Sequence, residues 1–523
     1  MATYYVDQTI GSDSYDGLSA TDDGSNVGPW KTVSKVNSSS ATIATSDTVS
    51  FKRGEVWYEQ LILTGAGLAD TGVTFTAHGS GDLPKISGAA AVSTWTSEGS
   101  DIYSADLTTE CIQVFMDDAR LVQGASAVSL NDHEWFWDTA KLYVKDVSGD
   151  PDTTGVVIEA SQRNHACEIE TTGHTIEYIR FCQGQSDFGG GGIFLSGGAQ
   201  ATIQNCELCQ AYTAAINHYD ASTNSGACII QDNEVWDCGG NGIQLSNHAT
   251  GWTVRRNDVH DFAILAEVDD HDFAAGIKMA GATSLGHTIE QNHVYDADGQ
   301  GQDAGGGIWC DEDADDTTIQ HNRLHDLSYQ GVRIELTDDC IVQYNVIYDC
   351  GQGIAIARDV HRNFVYGNII HSCTNAIMVK GVYPVEAGSC TDNIVKNNII
   401  GGSVGTDFRA YDGGENDGTN GSGNVYINNY FIEKASFAEW GRGGSTYATV
   451  AAWESAIGDA DEVGSNVGGS DPGYTNAGSN DFTLASDSDC IGAGENLGSP
   501  YNIALLPAST WPDGVLTADQ DDY

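Results

Sequence analysis

Asp311 and Glu335 stand 24 residues apart, in two short segments of one pattern, GIWCDE and GVRIEL. Apolar residues alternate there with polar or aromatic ones, the period of a β-strand. Ile308 and Cys310, like Val332 and Ile334, face one side; Trp309 and Asp311, like Arg333 and Glu335, face the other. If the two strands pair in parallel, they lie about 4.8 Å apart and their carboxyl groups roughly 5 Å apart. At that separation one carboxylate can attack an anomeric carbon while the other handles the leaving oxygen's proton, as in retaining glycoside hydrolysis. Two stacked carboxylates repel, so one of them must titrate high, which suits a general acid. The expected roles are Asp311 as nucleophile and Glu335 as acid/base. Around them gather Lys278, Arg333, Arg358 and Lys380, a large share of the nearby basic residues, and Trp309, whose ring could stack on a sugar. His271, in the acid-rich loop nearby, completes the expected substrate contacts.

These residues need a scaffold that places equivalent positions above one another, and the sequence repeats accordingly. A glycine-led strand recurs as GIFLSG at 192, GIQLSN at 242, GIKMAG at 276, GIWCDE at 307, GVRIEL at 331, GIAIAR at 353 and AIMVKG at 376. Between these lies a short strand ending in Asn: Asn205, Asn233, Asn257, Asn292, Asn322, Asn345, Asn368 and Asn398. The smallest gaps, 23 residues, define a unit of three short β segments, and the longer ones add loops. β-branched, period-2 segments exclude helical repeats, and no leucine-rich pattern is present. The expected fold is an all-β, right-handed, single-stranded parallel β-helix of three sheets. The repeated Asn is expected at a left-handed turn, with side-chain amides stacked along the axis. His260, His325 and His371 recur after that turn and belong to the repeat. The aligned glycine strands give an outward column Ser196, Ser246, Ala280, Asp311, Glu335, Ala357, Lys380, in which acids occur on adjacent coils alone.

Lys plus Arg number 22 against 74 Asp plus Glu, a net charge of −52. A chain this acidic is not drawn to nucleic acid or anionic membranes. No apolar stretch is long enough to span a bilayer, and no membrane insertion is expected. The start, MATYYVDQTIGSD, lacks the basic region and apolar core of a signal peptide. The expected location is therefore extracellular with a signal removed, or a virion. The 13 cysteines follow the repeat and are expected as stacked buried thiols. Cys206 and Cys209 have CxxC spacing without a second such pair, so a zinc site is not expected.

The opening YYVDQTIGSDSYDGLSA…GPWKTVSKVN, the segment VFMDDARL…EWFWDTAKLYVKD and the closing DPGYTNAGSNDFTLASDSDCIGAGENLG resemble the pectate-lyase-like β-helix superfamily. The spacing of Asp311 and Glu335 is similar to that of β-helical glycosidases of the β-xylosidase type, although the surrounding residues differ. The resemblance implies a carbohydrate-active protein taking a poly- or oligosaccharide. A polysaccharide lyase, with Lys278 or Arg333 as base and calcium on the substrate carboxylate, is one alternative. A non-catalytic phage tailspike or decoration protein, with homotrimeric or virion assembly, is another.

Residues 1–83 read as an N-terminal cap with the first coils and a short helix near 31–37. Residues 84–160 read as a β-rich insertion with Trp95, Trp135, Phe136 and Trp137 in its own core. Residues 161–435 are the regular coils, and 436–523 are a segment that packs along or caps them, with one helix in TYATVAAWESAIG. Loops at 265–275, 296–305 and 382–393 are expected to wall the site. No cofactor is required. Asp269, Asp270, Asp272 and Asp313 are where calcium would bind, although DEDADD lacks the glycine and distal Glu of an EF-hand loop. Glu312, Asp313, Asp315 and Asp316 otherwise read as turn residues.

Overall fold

The computed structural model describes residues 1–65, 67–68, 71–186, 190–221, 226–265, 273–297, 299, 304–380, 389–411, 422–441 and 444–497. Among them no helix is long and apolar enough to cross a membrane. The chain divides into two compact units, one built mainly on residues 1–219 and the other mainly on residues from 241 onward.

In the first unit, strands pair in parallel with their successors, as Thr48–Lys52 does with Thr74–His78 and Cys167–Ile169 with Ile193–Leu195. The short helix runs Val33–Asn37, capped by Thr32, whose side chain accepts from the Lys35 amide. The insertion spans the strands Ala89–Val92 to Ile158–Ser161 and is mostly antiparallel. Trp95 and Trp135 are buried in its own core with Leu142 and Val144, and Trp137 packs against them; Phe136 is half-buried outside that core.

The second unit carries the site. Its strands include β1 (Ile243–Ser246), β2 (Asp258–Phe262), β3 (Ala275–Ala280), β4 (His293–Ala297) and β5 (Gly306–Cys310). β6 (Arg323–Glu335), β7 (Val346–Ala357) and β8 (Asn375–Lys380) continue the series. β1, β3, β5, the second half of β6, the second half of β7, and β8 form one parallel ladder. Its register aligns Ile243, Ile277, Ile308, Val332, Ile354 and Ile377, all buried, as the alternation requires. The leading glycine of each strand is a matter of space. A Cβ on Gly307 would sit 2.5 Å from the Gly331 carbonyl oxygen and from Leu324 Cδ2 of the next coil.

The Asn repeat is an amide ladder. Each Nδ2 donates to the next Oδ1, from Asn233 to Asn257, then Asn292, Asn322, Asn345, Asn368 and Asn398, at 2.9–3.0 Å. The same Oδ1 takes the backbone amide of the previous Asn, so a buried turn has its polar groups satisfied. A second ladder joins Asn363, Asn393 and Asn424 at another corner. The expected left-handed Asn is corrected: the residue before it takes that conformation, as Arg256, His321 and Tyr344 do at φ 52°, 55° and 53°. Asn205 belongs to this preceding class, at φ 52°. Cys206 fills the inward position instead, its thiol directed at the Ile176 carbonyl as an amide would be.

All cysteines but Cys490 are buried, and among the described residues no disulfide forms. The helix Val450–Ile457 lays Trp453 on Phe408 and Phe431, with ring centroids 5.1 and 5.7 Å away. A hairpin of Tyr474–Asn476 and Asp481–Leu484 buries Phe482 against Tyr348 and His371. The C-terminal segment therefore covers both the last coils and a flank of the solenoid.

Candidate active site

The register places the expected residues on neighbouring strands. Lys278 pairs with Trp309, and Trp309 with Arg333; Cys310 opposite Ile334 brings Asp311 and Glu335 to adjoining positions. The side is the expected one, but the face is not open to solvent. Lys278 is 8% exposed, Trp309 2%, Arg333 5% and Glu335 1%. An outward position on a solenoid strand is thus not an exposed one here, because further residues lie over it.

Burial changes what each side chain can do. Lys278 Nζ lies 4.1 Å from the Trp309 ring centroid, and the Arg333 guanidinium carbon lies 4.1 Å from it on the neighbouring coil's side. These are cation–π contacts in a desolvated setting. They occupy the indole, so Trp309 is corrected from a sugar platform to a spacer between two cations. Its Nε1 is buried without a hydrogen-bond partner.

The two carboxyl groups sit in contrasting fields. Glu335 Oε1 accepts from Arg333 Nη2 at 2.7 Å and from Arg358 Nη1 at 3.1 Å. Arg358 reaches back one coil from a left-handed corner, at φ 59°. Both contacts end on Oε1, which leaves Oε2 for another partner. Among the described residues the ion-pair partner of Asp311 is the Lys278 ammonium, at 3.6 Å. Burial pushes its carboxyl up to about 6; Lys278 pulls the other way, while Glu335 and Glu312 add to the rise. One member is thus ion-paired by two guanidinium groups, and the other retains a proton into the weakly acidic range.

The acid run after β5 divides as expected. Glu312, Asp313 and Asp316 adopt left-handed turn conformations. Asp315 Oδ1 accepts from Thr337 Oγ1 and the Asp338 amide, tying one coil's turn to the next. Among the described residues Asp313 joins no cluster of three metal-ligating side chains. Lys380 continues the outward column beyond Ala357, two coils from Glu335. His271, Asp269, Asp270 and Asp272, with most of the three expected wall loops, lie outside the described residues.

The sequence matches the family described as a right handed beta helix region over residues 126–302, 191–373 and 275–450, more than half of the chain. The chain belongs to this right-handed β-helix family. A lacto-N-biosidase of Bifidobacterium longum subsp. longum is 21% identical over 83% of this chain and 31% of its own length. The chain therefore spans about a third of that relative. The structure of XylC in complex with xylose superposes with a TM-score of 0.55 at 14% identity, covering 89% of this chain and 82% of that one. A lacto-N-biosidase from Eubacterium ramulus gives a TM-score of 0.41 at 14% identity, over 90% and 67%.

Two aromatic residues of this β-helix site were not singled out from the sequence. Phe273, 46% exposed, has its ring 6.2 Å from Trp309 and 5.7 Å from Lys278 Nζ, which also donates to the Phe273 carbonyl oxygen. Tyr329, half-buried, lies 5.8 Å from the Arg333 guanidinium carbon. Their signal was the position of each aromatic just ahead of a glycine strand, where a coil turns toward the site.

Proposed function

We propose that this protein is a carbohydrate-active β-helix enzyme that hydrolyses a glycosidic bond with Asp311 and Glu335. The observation that carries the reading is the electrostatic contrast between two carboxyl groups on adjacent coils. A pair whose environments differ in this way divides acid and base work. The contrast favours roles opposite to the sequence expectation. Asp311 gives its proton to the glycosidic oxygen as the C–O bond breaks, and Glu335 Oε2 forms the bond to the anomeric carbon. Water then displaces Glu335, and Asp311 takes back a proton from that water, which restores both groups. Arg333 and Arg358 fix the Glu335 carboxylate, Lys278 holds Asp311, and Phe273 offers the sugar the face that Trp309 cannot.

The similarity to a lacto-N-biosidase and to the fold of XylC supports a saccharide substrate. The lyase alternative asks Lys278 or Arg333 to act as a base. Both are ion-paired cations here, and either would first have to lose a proton. The test is a panel of aryl glycosides and oligosaccharides, with the anomer of the first product followed by NMR. Turnover with retained configuration is expected, falling roughly 10²–10⁴-fold in Asp311→Asn and in Glu335→Gln while binding persists. Undiminished turnover in both variants, or an unsaturated product, overturns the proposal.

A further inference from the structure

The insertion carries a side-chain cluster that the glycosidase chemistry does not use. Its strands Glu134–Trp137 and Lys141–Lys145 pair antiparallel, with Trp135 opposite Val144. Two residues further toward the open end, that register sets His133 opposite Asp146. The backbone agrees, since the His133 amide donates to the Lys145 carbonyl oxygen at 3.0 Å. Asp132 directly precedes His133. One ligating atom from each of Asp132, His133 and Asp146 lies within 4.8 Å of the other two.

Both carboxylates are held by one oxygen, which leaves the second for another partner. Asp132 Oδ1 accepts from the Val147 amide at 3.0 Å, and its Oδ2 stands 4.0 Å from His133 Nε2. Asp146 Oδ1 accepts from the Ser148 amide at 2.8 Å and the Ser148 hydroxyl at 2.5 Å. Asp146 is 1% exposed, and its Oδ2 is buried with no hydrogen-bond partner among the described residues. A carboxylate oxygen taken out of water without a donor is costly, so the group calls for a positive partner. Lys145, next in the chain, is turned elsewhere: its ammonium donates to the Leu130 carbonyl oxygen at 3.1 Å. The Glu134 carboxylate is likewise engaged, by the backbone and side-chain amides of Asn131.

We propose that Asp132, His133 and Asp146 form a binding site for a divalent metal ion of the zinc(II) class, with water in the fourth position. The donor set selects the class. Zinc takes imidazole nitrogen and carboxylate oxygen together, at about 2.0–2.2 Å, whereas calcium and magnesium favour oxygen alone. Around a tetrahedral zinc the donor atoms stand about 3.3–3.5 Å apart, so the 4.0 Å between Asp132 and His133 has to close by about 0.5–0.7 Å. Both side chains have room for that movement, at 40% and 63% exposure, toward an Asp146 that Ser148 fixes. Their exposure also opens the fourth position to water. The ion joins the segment ahead of one strand to the turn after the other. It thereby clasps the end of a hairpin that carries Trp135, Leu142 and Val144 into the insertion's core.

The test uses the full chain, stripped with a chelator and titrated with zinc chloride by calorimetry. Excess calcium chloride is present throughout, to saturate weak all-oxygen sites on so acidic a protein. One tight equivalent of zinc is expected. His133→Gln, Asp132→Asn and Asp146→Asn should each weaken it by about tenfold or more, with His248→Gln unchanged. His133→Gln alters an exposed side chain, so it removes a ligand without disturbing the core. Cobalt(II) in place of zinc should give the intense visible absorption of a four-coordinate ion, a wild-type readout independent of whether any variant folds. A zinc equivalent that survives His133→Gln, or that calcium displaces, overturns the site. So does a wild-type protein that takes up no tight equivalent, or one whose cobalt form shows the weak spectrum of a six-coordinate ion.

Discussion

Replacing Asp311 by Asn should stabilise the protein, and by an amount that grows with pH. The Asp311 carboxyl is raised from 3.8 to about 6 by burial, net of the Lys278 attraction. A raised carboxyl binds its proton more tightly in the folded state. Its contribution is therefore complete below the unfolded value and is lost as pH rises through about 6. Above that pH the full shift costs about 3 kcal/mol, at 1.36 kcal/mol per pKa unit. At pH 5 about 1.6 kcal/mol of this is already incurred, so about 1.4 kcal/mol remains to be lost between pH 5 and pH 8. The isoelectric point near 4.1 makes still lower pH impractical for a soluble sample. Asn mimics the protonated acid at every pH. The assay is urea unfolding of wild type and variant at pH 5 and pH 8. The stability difference, Asp311→Asn variant minus wild type, should move in the variant's favour by about 1.4 kcal/mol across that interval. A difference that is flat with pH, or that moves toward the wild type, would refute the placement of Asp311 in a desolvated site.

The same exchange of carboxylate for amide at Glu335 should act in the opposite direction. Glu335→Gln removes the partner of two guanidinium groups, one of them 5% exposed, and should cost about 3–5 kcal/mol in urea unfolding at pH 7. If Asp311 supplies the proton, kcat/KM should fall about tenfold per pH unit above about 6, read from a pH–rate profile on whichever glycoside turns over. Phe273→Ala should raise KM with little effect on kcat, because a stacking platform binds ground and transition states alike. Asn345→Ala should cost about 4 kcal/mol, since it strips partners from Asn322, Asn368 and Ile319 together. At Asn205, which takes the left-handed turn and among the described residues has no ladder bond to another Asn, the same change should cost about 1 kcal/mol.

The coil was legible because its constraints are local and repeated. Alternation assigned Ile308, Cys310, Val332 and Ile334 to the inside, and a fixed period stacked them, so the register followed without long-range information. Turn conformation was less legible. An Asn at a turn fits both a left-handed backbone and an amide ladder, and the two differ by one residue. The ladder position is settled by what its side chain meets inside. Cys206, which resembles Asn only in size and in directing a weak donor at a carbonyl, shows that the inward contact selects the residue there. The left-handed residue ahead of it is tolerated in many types, including Arg256, His321 and Tyr344.

The placement of Asp311 and Glu335 on adjoining strands was legible, and their surroundings were misread, for one reason. Period-2 alternation says on which side of a strand a residue stands, not what lies over that side. Trp309 looked like an exposed platform and is sandwiched by Lys278 and Arg333. Asp311 and Glu335 looked like a pair set apart only by mutual repulsion. In water that repulsion would be modest, because screening weakens it and each group keeps its hydration. Once buried, the neighbours decide: two guanidinium groups on one carboxylate, and one more distant ammonium on the other, give the pair unequal surroundings. The asymmetry that acid–base chemistry requires therefore comes from the covering of the face and from Arg358. That residue, at a left-handed corner one coil away, belongs to neither outward column.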